Sequence, residues 1–519
     1  MIGDLAYVND YWTVDRFGGA IAYSDKQQRI HVVPTGVPAS ALSVLDHDDA
    51  QVLDLAANSS WTGRWWLNKP AGSWSLTLKD RAGIVVRTLR GGETRGLVKA
   101  VWDGRGDGGT ALAEGRYTWE LAAAPADGVG ADLYRIGETF LTRGGLATYE
   151  PVAPARILST VTGIGAPKAK IGPGGTVTVQ VTGRGGVATT GVTAVTMNVT
   201  ATNPTASTYV SVYPTGTNRP ATSSLNVAAG RTAPNLVTVP VGKDGKVTLY
   251  NHSGSVDLLA DVAGSYTLSG QGDRFRAVTP ARLLSTVTGT GAPKAAIGPG
   301  KTVSVQVAGR GGIPDTGVTA VTVNVTATNP TAATYVSAYP YGTPRPATSN
   351  LNVTVGQTVA NLVTVPVKDG RITLYNHAGS IDLLADVAGY FTSAAGQGDR
   401  FRAVAPARIL TTVTGVGAPK AKVGAGQIVN LQVAGQGGIP VTGVSAIVMN
   451  VTVTSPTTST YVSAYPYGTP RPATSNLNVT AGRTLANQVV VPIRDGKVTL
   501  YNHSGAVDLL ADVAGYFTE

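Results

Sequence analysis

The sequence predicts an all-β chain of tandem β-sandwich domains, and three observations carry that expectation. One unit is written three times: Tyr335–Thr354 (YVSAYPYGTPRPATSNLNVT) recurs letter for letter at Tyr461–Thr480, and a close copy starts at Tyr209. Apolar residues within the unit alternate with a period of two, the spacing of a strand with one buried face. The 65 Gly and 30 Pro punctuate short apolar runs, and no helical pattern of useful length is present.

The alternation can be followed along the first copy. Val177, Val179 and Val181 face one way and Thr176, Thr178 and Gln180 the other. Val195, Met197 and Val199 alternate with polar residues, as do Val210 and Val212 with Tyr209, Ser211 and Tyr213. Val237–Val241, Val247–Leu249 and Val256–Val262 follow, which predicts six or seven strands per copy. An immunoglobulin-like or jelly-roll sandwich accommodates that number. Pro240, Pro366 and Pro492 fall inside strand patterns and mark an edge strand or a bulge. The copies open on Arg156, Arg282 and Arg408, 126 residues apart, a period of whole-domain size rather than of a solenoid repeat. Their connectors, LSGQGDR and SAAGQGDR, are too short to let neighbours stand far apart; beads on a stalk or a compact cluster are both expected.

Residues 1–50 read as short strands (Leu5–Val8, Ala20–Tyr23, Ile30–Val33) divided by turns, a segment too short to bury a core alone. It resembles the last blade of the FG-GAP or VCBS propeller regions of secreted actinobacterial proteins. Residues 51–125 place strands at Ser75–Lys79, Ile84–Leu89, Val98–Trp102 and Tyr117–Leu121. The turn Trp102–Asp103–Gly104 followed by Gly115–Arg116–Tyr117–Thr118–Trp119 resembles the FlgD-type immunoglobulin-like domain. All seven Trp lie within residues 1–119, where they are expected to fill sandwich cores; Trp65 and Trp66 cannot both point inward. Residues 126–148 read as a polar linker. The three sandwich repeats then span 149–267, 275–392 and 401–518. Each is similar to a tandem β-domain of secreted actinobacterial proteins, through Pro280–Leu284, Ala320–Thr328, Tyr335–Pro340, Ser349–Asn352, Ala360–Asn361 and Asp386–Phe391. The D-T-R of that family reads S-T-V from Ser159 and Ser285 and T-T-V from Thr411, so any role of its acid and arginine is lost. The resemblance implies an extracellular accessory module without catalysis.

Function is narrowed mainly by exclusion. The chain has no Cys, so disulfides, thiol catalysis and Cys-bound zinc are out. No apolar run is long enough to enter a membrane. Residues 1–150 hold 15 Lys+Arg against 18 Asp+Glu, and the remainder 26 against 13. The repeats are therefore basic, which favours polyanionic surroundings such as a wall polymer or an acidic polysaccharide. No Lys/Arg-rich run supports nucleic-acid binding. The opening MIGDLAYVND lacks the pattern of a signal peptide, so the chain is expected to be a piece of a longer secreted protein or a mature form.

Candidate chemistry is sparse. Each repeat carries one His (His252, His377, His503) followed by paired Asp (Asp257/Asp261, Asp382/Asp386, Asp508/Asp512), but Ser253 becomes Ala378 in the second copy and no nucleophile elbow exists. No catalytic residue is assigned, and the Asp are expected on loop amides or an interdomain Arg. Ile297–Thr302 and Arg105–Gly106–Asp107 read as turns, and Asn198, Asn324 and Asn450 sit in strands rather than in glycosylated loops. Asp46, Asp48 and Asp49 could hold calcium, though a solvated loop is the plainer expectation; otherwise no metal or cofactor is expected. The best ligand-binding candidates are Tyr209, Tyr213 and Arg219, with Tyr335, Tyr339, Tyr341 and Arg345, and Tyr461, Tyr465, Tyr467 and Arg471. Aromatic faces beside Arg can hold a sugar. The expectation is a non-enzymatic extracellular or cell-surface adhesion protein that binds glycan or cell wall. The alternatives are a structural spacer or assembly subunit, as a homo-oligomer or with other protein subunits, and the accessory region of a larger secreted enzyme.

Overall fold

The computed structural model describes all residues except 1–11, 15–19, 26, 35–40, 50–51, 56–59, 81, 113–114, 143–145, 269–271, 395–396 and 519. The expected strand Leu5–Val8 lies outside the described residues. The chain is all β, in two compact units, Met1–Gly145 and Leu146–Glu519.

In the first unit, β1 (Trp12–Val14), β2 (Ala20–Ser24) and β3 (Ile30–Pro34) form a three-stranded antiparallel sheet. The rest is a sandwich. One sheet is β4 (Val44–Asp49), β6 (Trp61–Leu67) and β9 (Leu97–Trp102). The other runs β5 (Val52–Asp54), β11 (Leu133–Thr142), β10 (Gly115–Pro125), β7 (Ala71–Lys79), β8 (Val85–Gly91). Trp61, Trp65, Trp102 and Trp119 are buried between them, whereas Trp66, its side chain on the opposite face, is 37% exposed. The Trp102–Asp103–Gly104 turn is locked locally: the Trp102 indole donates to the Arg105 carbonyl at 2.9 Å, and Gly104 adopts φ +75°. Two expectations differ from this. Residues 126–148 are not a linker, because β11 pairs along β10 from Leu133 to Leu141. The sandwich also reaches below residue 51, because β4 pairs with β6. A mixed polar and apolar composition at 133–142 hid a strand that buries only some of its side chains.

Each repeat in the second unit has eight strands rather than six or seven. In the first they are β12 (Thr148–Ser159), β13 (Thr176–Gln180), β14 (Val192–Thr202), β15 (Thr208–Pro214), β16 (Leu225–Val227), β17 (Ala233–Pro240), β18 (Lys246–Asn251) and β19 (Asp257–Thr267). The second repeats them as β20 (Arg274–Ser285), β21 (Thr302–Gln306), β22 (Val318–Thr328), β23 (Thr334–Pro340), β24 (Leu351–Val353), β25 (Val359–Pro366), β26 (Arg371–Asn376) and β27 (Asp382–Thr392). The third has β28 (Arg400–Thr411), β29 (Ile428–Gln432), β30 (Val444–Thr454), β31 (Thr460–Pro466), β32 (Leu477–Val479), β33 (Leu485–Pro492), β34 (Lys497–Asn502) and β35 (Asp508–Thr518). The strands missed were the three-residue β16 and the opening β12, whose Pro-containing sequence breaks the alternation.

Sheet orders β12-β19-β14-β17 and β13-β18-β15-β16 give the jelly-roll arrangement of two four-stranded antiparallel sheets. The inward Val and Leu of both sheets form one core per repeat. Pro240 ends β17, an edge strand, where its missing N–H breaks no ladder.

The repeats are not beads on a stalk. They close into a ring in which each contacts both others. The opening strands join end to end through backbone pairs Tyr149–Asp273, Phe275–Asp399 and, closing the circle, Ala147–Phe401. Where they meet, an apolar cluster contains Tyr149, Tyr266, Phe275, Phe391, Phe401 and Phe517. The aromatics stack from one repeat to the next: Tyr149 on Phe391 at 4.1 Å, Phe275 on Phe517 at 4.2 Å, Phe401 on Tyr266 at 4.0 Å. Each opening-strand ring also presses on a glycine of its own closing strand, Gly264, Gly389 or Gly515, where an added Cβ would overlap the ring.

An asparagine circuit runs beside this cluster. The Nδ2 of Asn198, Asn324 and Asn450 donates to the carbonyls of Ser349, Ser475 and Ser223, each in the next repeat around the ring. Their Oδ1 atoms accept from Asn361, Asn487 and Asn235 at 2.8, 2.9 and 2.8 Å. The second set in turn accepts the backbone N–H of Leu236, Leu362 and Gln488. The Asn of the three sequon-like triplets lie in strands, as expected, and are interface residues, a role their sequence did not indicate.

Candidate functional site

The candidate tyrosines lie on the outer sheet of each repeat. In the first, Val210 and Val212 enter the core while Tyr209, Ser211 and Tyr213 take the other face. Strand β18 runs antiparallel beside β15, with Ser211 opposite Tyr250 and Val210 opposite Asn251. That register sets His252 across from Tyr209, and their rings stack at 4.4 Å with an interplanar angle of 18°. The pair recurs as Tyr335–His377 at 4.4 Å and Tyr461–His503 at 4.3 Å.

The loop after the tyrosine strand brings an arginine back over this face. Arg219 lies 4.3 Å from the Tyr250 ring centre, Arg345 4.5 Å from Tyr375, and Arg471 4.4 Å from Tyr501. Arg345 and Arg471 also donate to the hydroxyls of Tyr335 and Tyr461 at 3.3 and 3.1 Å. Each repeat thus carries a Tyr–His–Tyr–Arg platform with an exposed guanidinium and imidazole. An exposed arginine held by cation–π contact loses little further freedom when it meets a ligand.

The face is only partly open. Tyr213, Tyr339 and Tyr465 are buried at 9, 7 and 6% exposure. Ser211, Ser337 and Ser463 are buried too, donating to the Thr222, Thr348 and Thr474 carbonyls of the covering loop. Burial pushes the Tyr339 and Tyr465 phenols upward despite the nearby arginine. These residues support the platform rather than forming its surface. Tyr341 and Tyr467 do not join it either: they lie under Arg371 at 5.4 Å and Lys497 at 5.2 Å. The platform residues not foreseen as ligand-binding are Tyr250, Tyr375, Tyr501 and the three His. The thrice-written Tyr-Asn-His was the available signal, and its Asn is structural: Asn251 donates to the Ile171, Gly172 and Gly254 carbonyls.

The paired aspartates have separate structural partners. Asp261, Asp386 and Asp512 each receive a two-pronged bond from the opening arginine of the same repeat, Arg156, Arg282 or Arg408. The arginine is thus intradomain, not interdomain. Burial nonetheless pushes these carboxyl pKa values up, with the arginine opposing. Asp257 instead binds Thr160 and Lys170. Asp46, Asp48 and Asp49 lie on strand β4 rather than in a loop, with Asp48 paired to Arg64 and Asp49 to His47. Among the described residues no group of three or more His, Asp or Glu is placed to hold a metal ion. Among the described residues no helix is long and apolar enough to cross a membrane. Arg105–Gly106–Asp107 is held within its turn, with Asp107 accepting from the Thr88 N–H at 3.1 Å.

No curated protein matches the chain. Among solved structures, a study of carbohydrate-binding modules from the β-sandwich superfamily contains a chain 10% identical to this one, with a TM-score of 0.14, covering 44% of this chain and 99% of that one. SGBP-B of the Bacteroides ovatus mixed-linkage glucan utilization locus, in complex with a mixed-linkage heptasaccharide, is 9% identical with a TM-score of 0.15, covering 91% and 100%. A tetra-tandem repeat in the extending region of a large adhesion protein is 14% identical with a TM-score of 0.15, covering 88% and 100%. At these TM-scores none of the three bears on what this chain binds. One segment has a family: residues 50–127 match the FlgD Ig-like domain.

Proposed function

We propose that this chain is a non-catalytic glycan- or cell-wall-binding protein of the bacterial surface or exterior, whose ring of three jelly rolls displays three equivalent sugar platforms. The supporting observation is the platform itself, which recurs with ring separations within 0.1 Å for the Tyr–His stack. Stacked aromatics give a sugar ring a flat apolar surface, and the arginine above the second tyrosine supplies directed donors to hydroxyls. A closed ring fixes the three platforms relative to one another. Weak sites on a rigid body gain by multivalency on a repeating polymer, by as much as about 10²- to 10⁴-fold. The resemblance of the repeats to tandem modules of secreted actinobacterial proteins points to the same setting.

A glycan array and an insoluble-wall pull-down with the whole chain test this reading. The triple variant Arg219→Ala, Arg345→Ala, Arg471→Ala changes exposed side chains only. It is expected to lose retention on a polymer that the wild type binds, while a single replacement lowers it modestly. Equal retention of wild type and triple variant on every bound polymer refutes the platform. A second reading, a spacer or assembly subunit, draws on the burial of Tyr213, Tyr339 and Tyr465. It predicts no glycan retention and self-association in sedimentation.

A further inference from the structure

The three interfaces of the ring are built alike but are not identical, and one of them borders a cleft. Between the first and second repeats, Arg231 donates to the Thr354 hydroxyl of its neighbour at 3.4 Å. At the interface between the third and first repeats, the equivalents are Arg483 and Ala228, so the arginine faces no hydroxyl. Between the second and third they are Gln357 and Thr480, with no arginine. The third-to-first interface alone pairs an arginine with a residue that cannot receive it.

A cleft of about 590 Å³ opens there. One wall holds the Tyr209–His252 stack with Thr222 and Asn226, and the other holds Arg408 and Arg483. No Asp or Glu is among its lining residues. Arg408 is neutralised by Asp512 at 2.7 Å, which leaves Arg483, exposed and without an ion pair among the described residues, as the uncompensated charge. Thr452 also lines the cleft; it is 3% exposed and its hydroxyl has no hydrogen-bond partner.

We propose that this cleft binds an anionic saccharide, its carboxylate or phosphate taken by Arg483 and a sugar ring laid on the exposed side of the Tyr209–His252 stack. The proposal rests on the glycan-binding reading and adds a charge preference and a single location to it. A planar guanidinium matches a carboxylate or phosphate through two parallel bonds. A site with no competing acid repels no anionic ligand.

Isothermal titration of the whole chain tests it, with tetragalacturonate as the carboxylate probe, a glycerol-phosphate tetramer as the phosphate probe, and cellotetraose as the neutral one. The expected result is that one or both acidic probes bind more tightly than cellotetraose, with affinity falling as salt rises. Arg483→Gln then weakens acidic binding about tenfold or more, the range of a lost charge-assisted bond. Ala228→Thr, which installs the residue present at 354 and 480, weakens it as well by engaging Arg483. Cellotetraose binding should follow the platform arginines and ignore Arg483. Equal affinity for acidic and neutral probes, or acidic binding unaffected by Arg483→Gln, overturns the cleft and leaves the platforms standing. If no probe binds and no glycan is retained in the array, both readings fall.

Discussion

Replacing Asn361 by alanine is the sharpest test of the ring. Asn361 is fully buried and its amide makes three bonds. It donates to Asn198 Oδ1 at 2.8 Å, donates to the Asn350 carbonyl at 2.7 Å, and accepts the Leu236 N–H at 3.1 Å. Two of the three partners belong to the first repeat, and both Asn198 and Leu236 are 2% exposed. Alanine leaves all three groups buried and unpaired. At about 1–3 kcal/mol for each orphaned group, the loss is about 4 kcal/mol once the lower values are given to the partners best able to shift. Urea unfolding followed by far-ultraviolet circular dichroism measures it. All Trp lie in residues 1–119, so Trp fluorescence reports the first unit in the same samples and should not move. Asn352→Ala is the control: that residue is half-buried and bonds within its own repeat to Ser349 Oγ at 3.4 Å, so its expected cost is below about 0.5 kcal/mol. Because two of the three lost bonds cross between repeats, the whole ring should unfold earlier in one transition. A cost below about 1 kcal/mol, or a split transition in which two repeats keep their wild-type midpoint, refutes the asparagine circuit as the element that joins the repeats.

Other outcomes follow from the same structure. Gly389→Ala forces a Cβ into the Phe275 ring and the Arg276 carbonyl, so the variant should lose about 2 kcal/mol or more in the same urea assay, whereas Gly300→Ala meets no atom within 4 Å but carries a φ of +69° and should cost only about 1 kcal/mol. Acid should affect the two units in opposite senses. In the ring, burial raises the folded pKa of Asp261, Asp273, Asp386 and Asp512, so folding takes up protons between the unfolded value near 4 and the raised one. The contribution of these groups to stability therefore grows as pH falls through that window. In the first unit, hydrogen bonds from Lys69 and Lys79 hold Asp127 and Glu120 low; their contribution is present above the unfolded pKa and is lost as pH falls through the folded one. Between pH 7 and pH 3, urea midpoints should thus fall further for the Trp signal than for the ring, and the reverse order would contradict the assignments.

How much of this was legible in the sequence depends on which face a residue serves. Valine alternation marks an inward face, so the sandwich cores, the tyrosine strand and the edge position of Pro240 could all be read. The outer face carries no such signal, because a ligand, a loop and a neighbouring repeat all select polar and aromatic residues. Tyr209 and Tyr213 look alike in the sequence, yet the covering loop buries only the second. Asn198 and Asn361 were visible as repeated motif residues, but nothing local in Asn-Val-Thr or Ala-Asn says that the two meet across 163 residues of chain. One hint was overlooked. The chain has six Phe, and four of them (Phe275, Phe391, Phe401, Phe517) stand at the starts and ends of the repeats. Large apolar side chains beside polar connectors point to a core that the repeats share.

The seam between the third and first repeats makes a last, separate demand. The other two interfaces are each spanned by a connector, so separating them is opposed by covalent linkage, whereas this one is held by side chains and backbone pairs alone. It carries an extra contact. At the position filled by Leu236 and Leu362 the third repeat has Gln488, whose Oε1 accepts the Thr238 N–H at 2.7 Å and whose Nε2 donates to Thr238 Oγ1 at 3.1 Å. Two buried bonds at about 1 kcal/mol each offset part of the loop-closure entropy that the missing connector leaves uncompensated. A symmetric homotrimer could not place such a residue at one interface only; a fused chain can. Gln488→Leu should therefore speed amide hydrogen exchange at Thr238 and at residue 488 itself by about tenfold or more, with Leu236 and Leu362, whose N–H groups report the other two interfaces, unchanged. Equal acceleration at all three interfaces would mean that the ring opens as a whole and that the seam has no weakness of its own for Gln488 to correct.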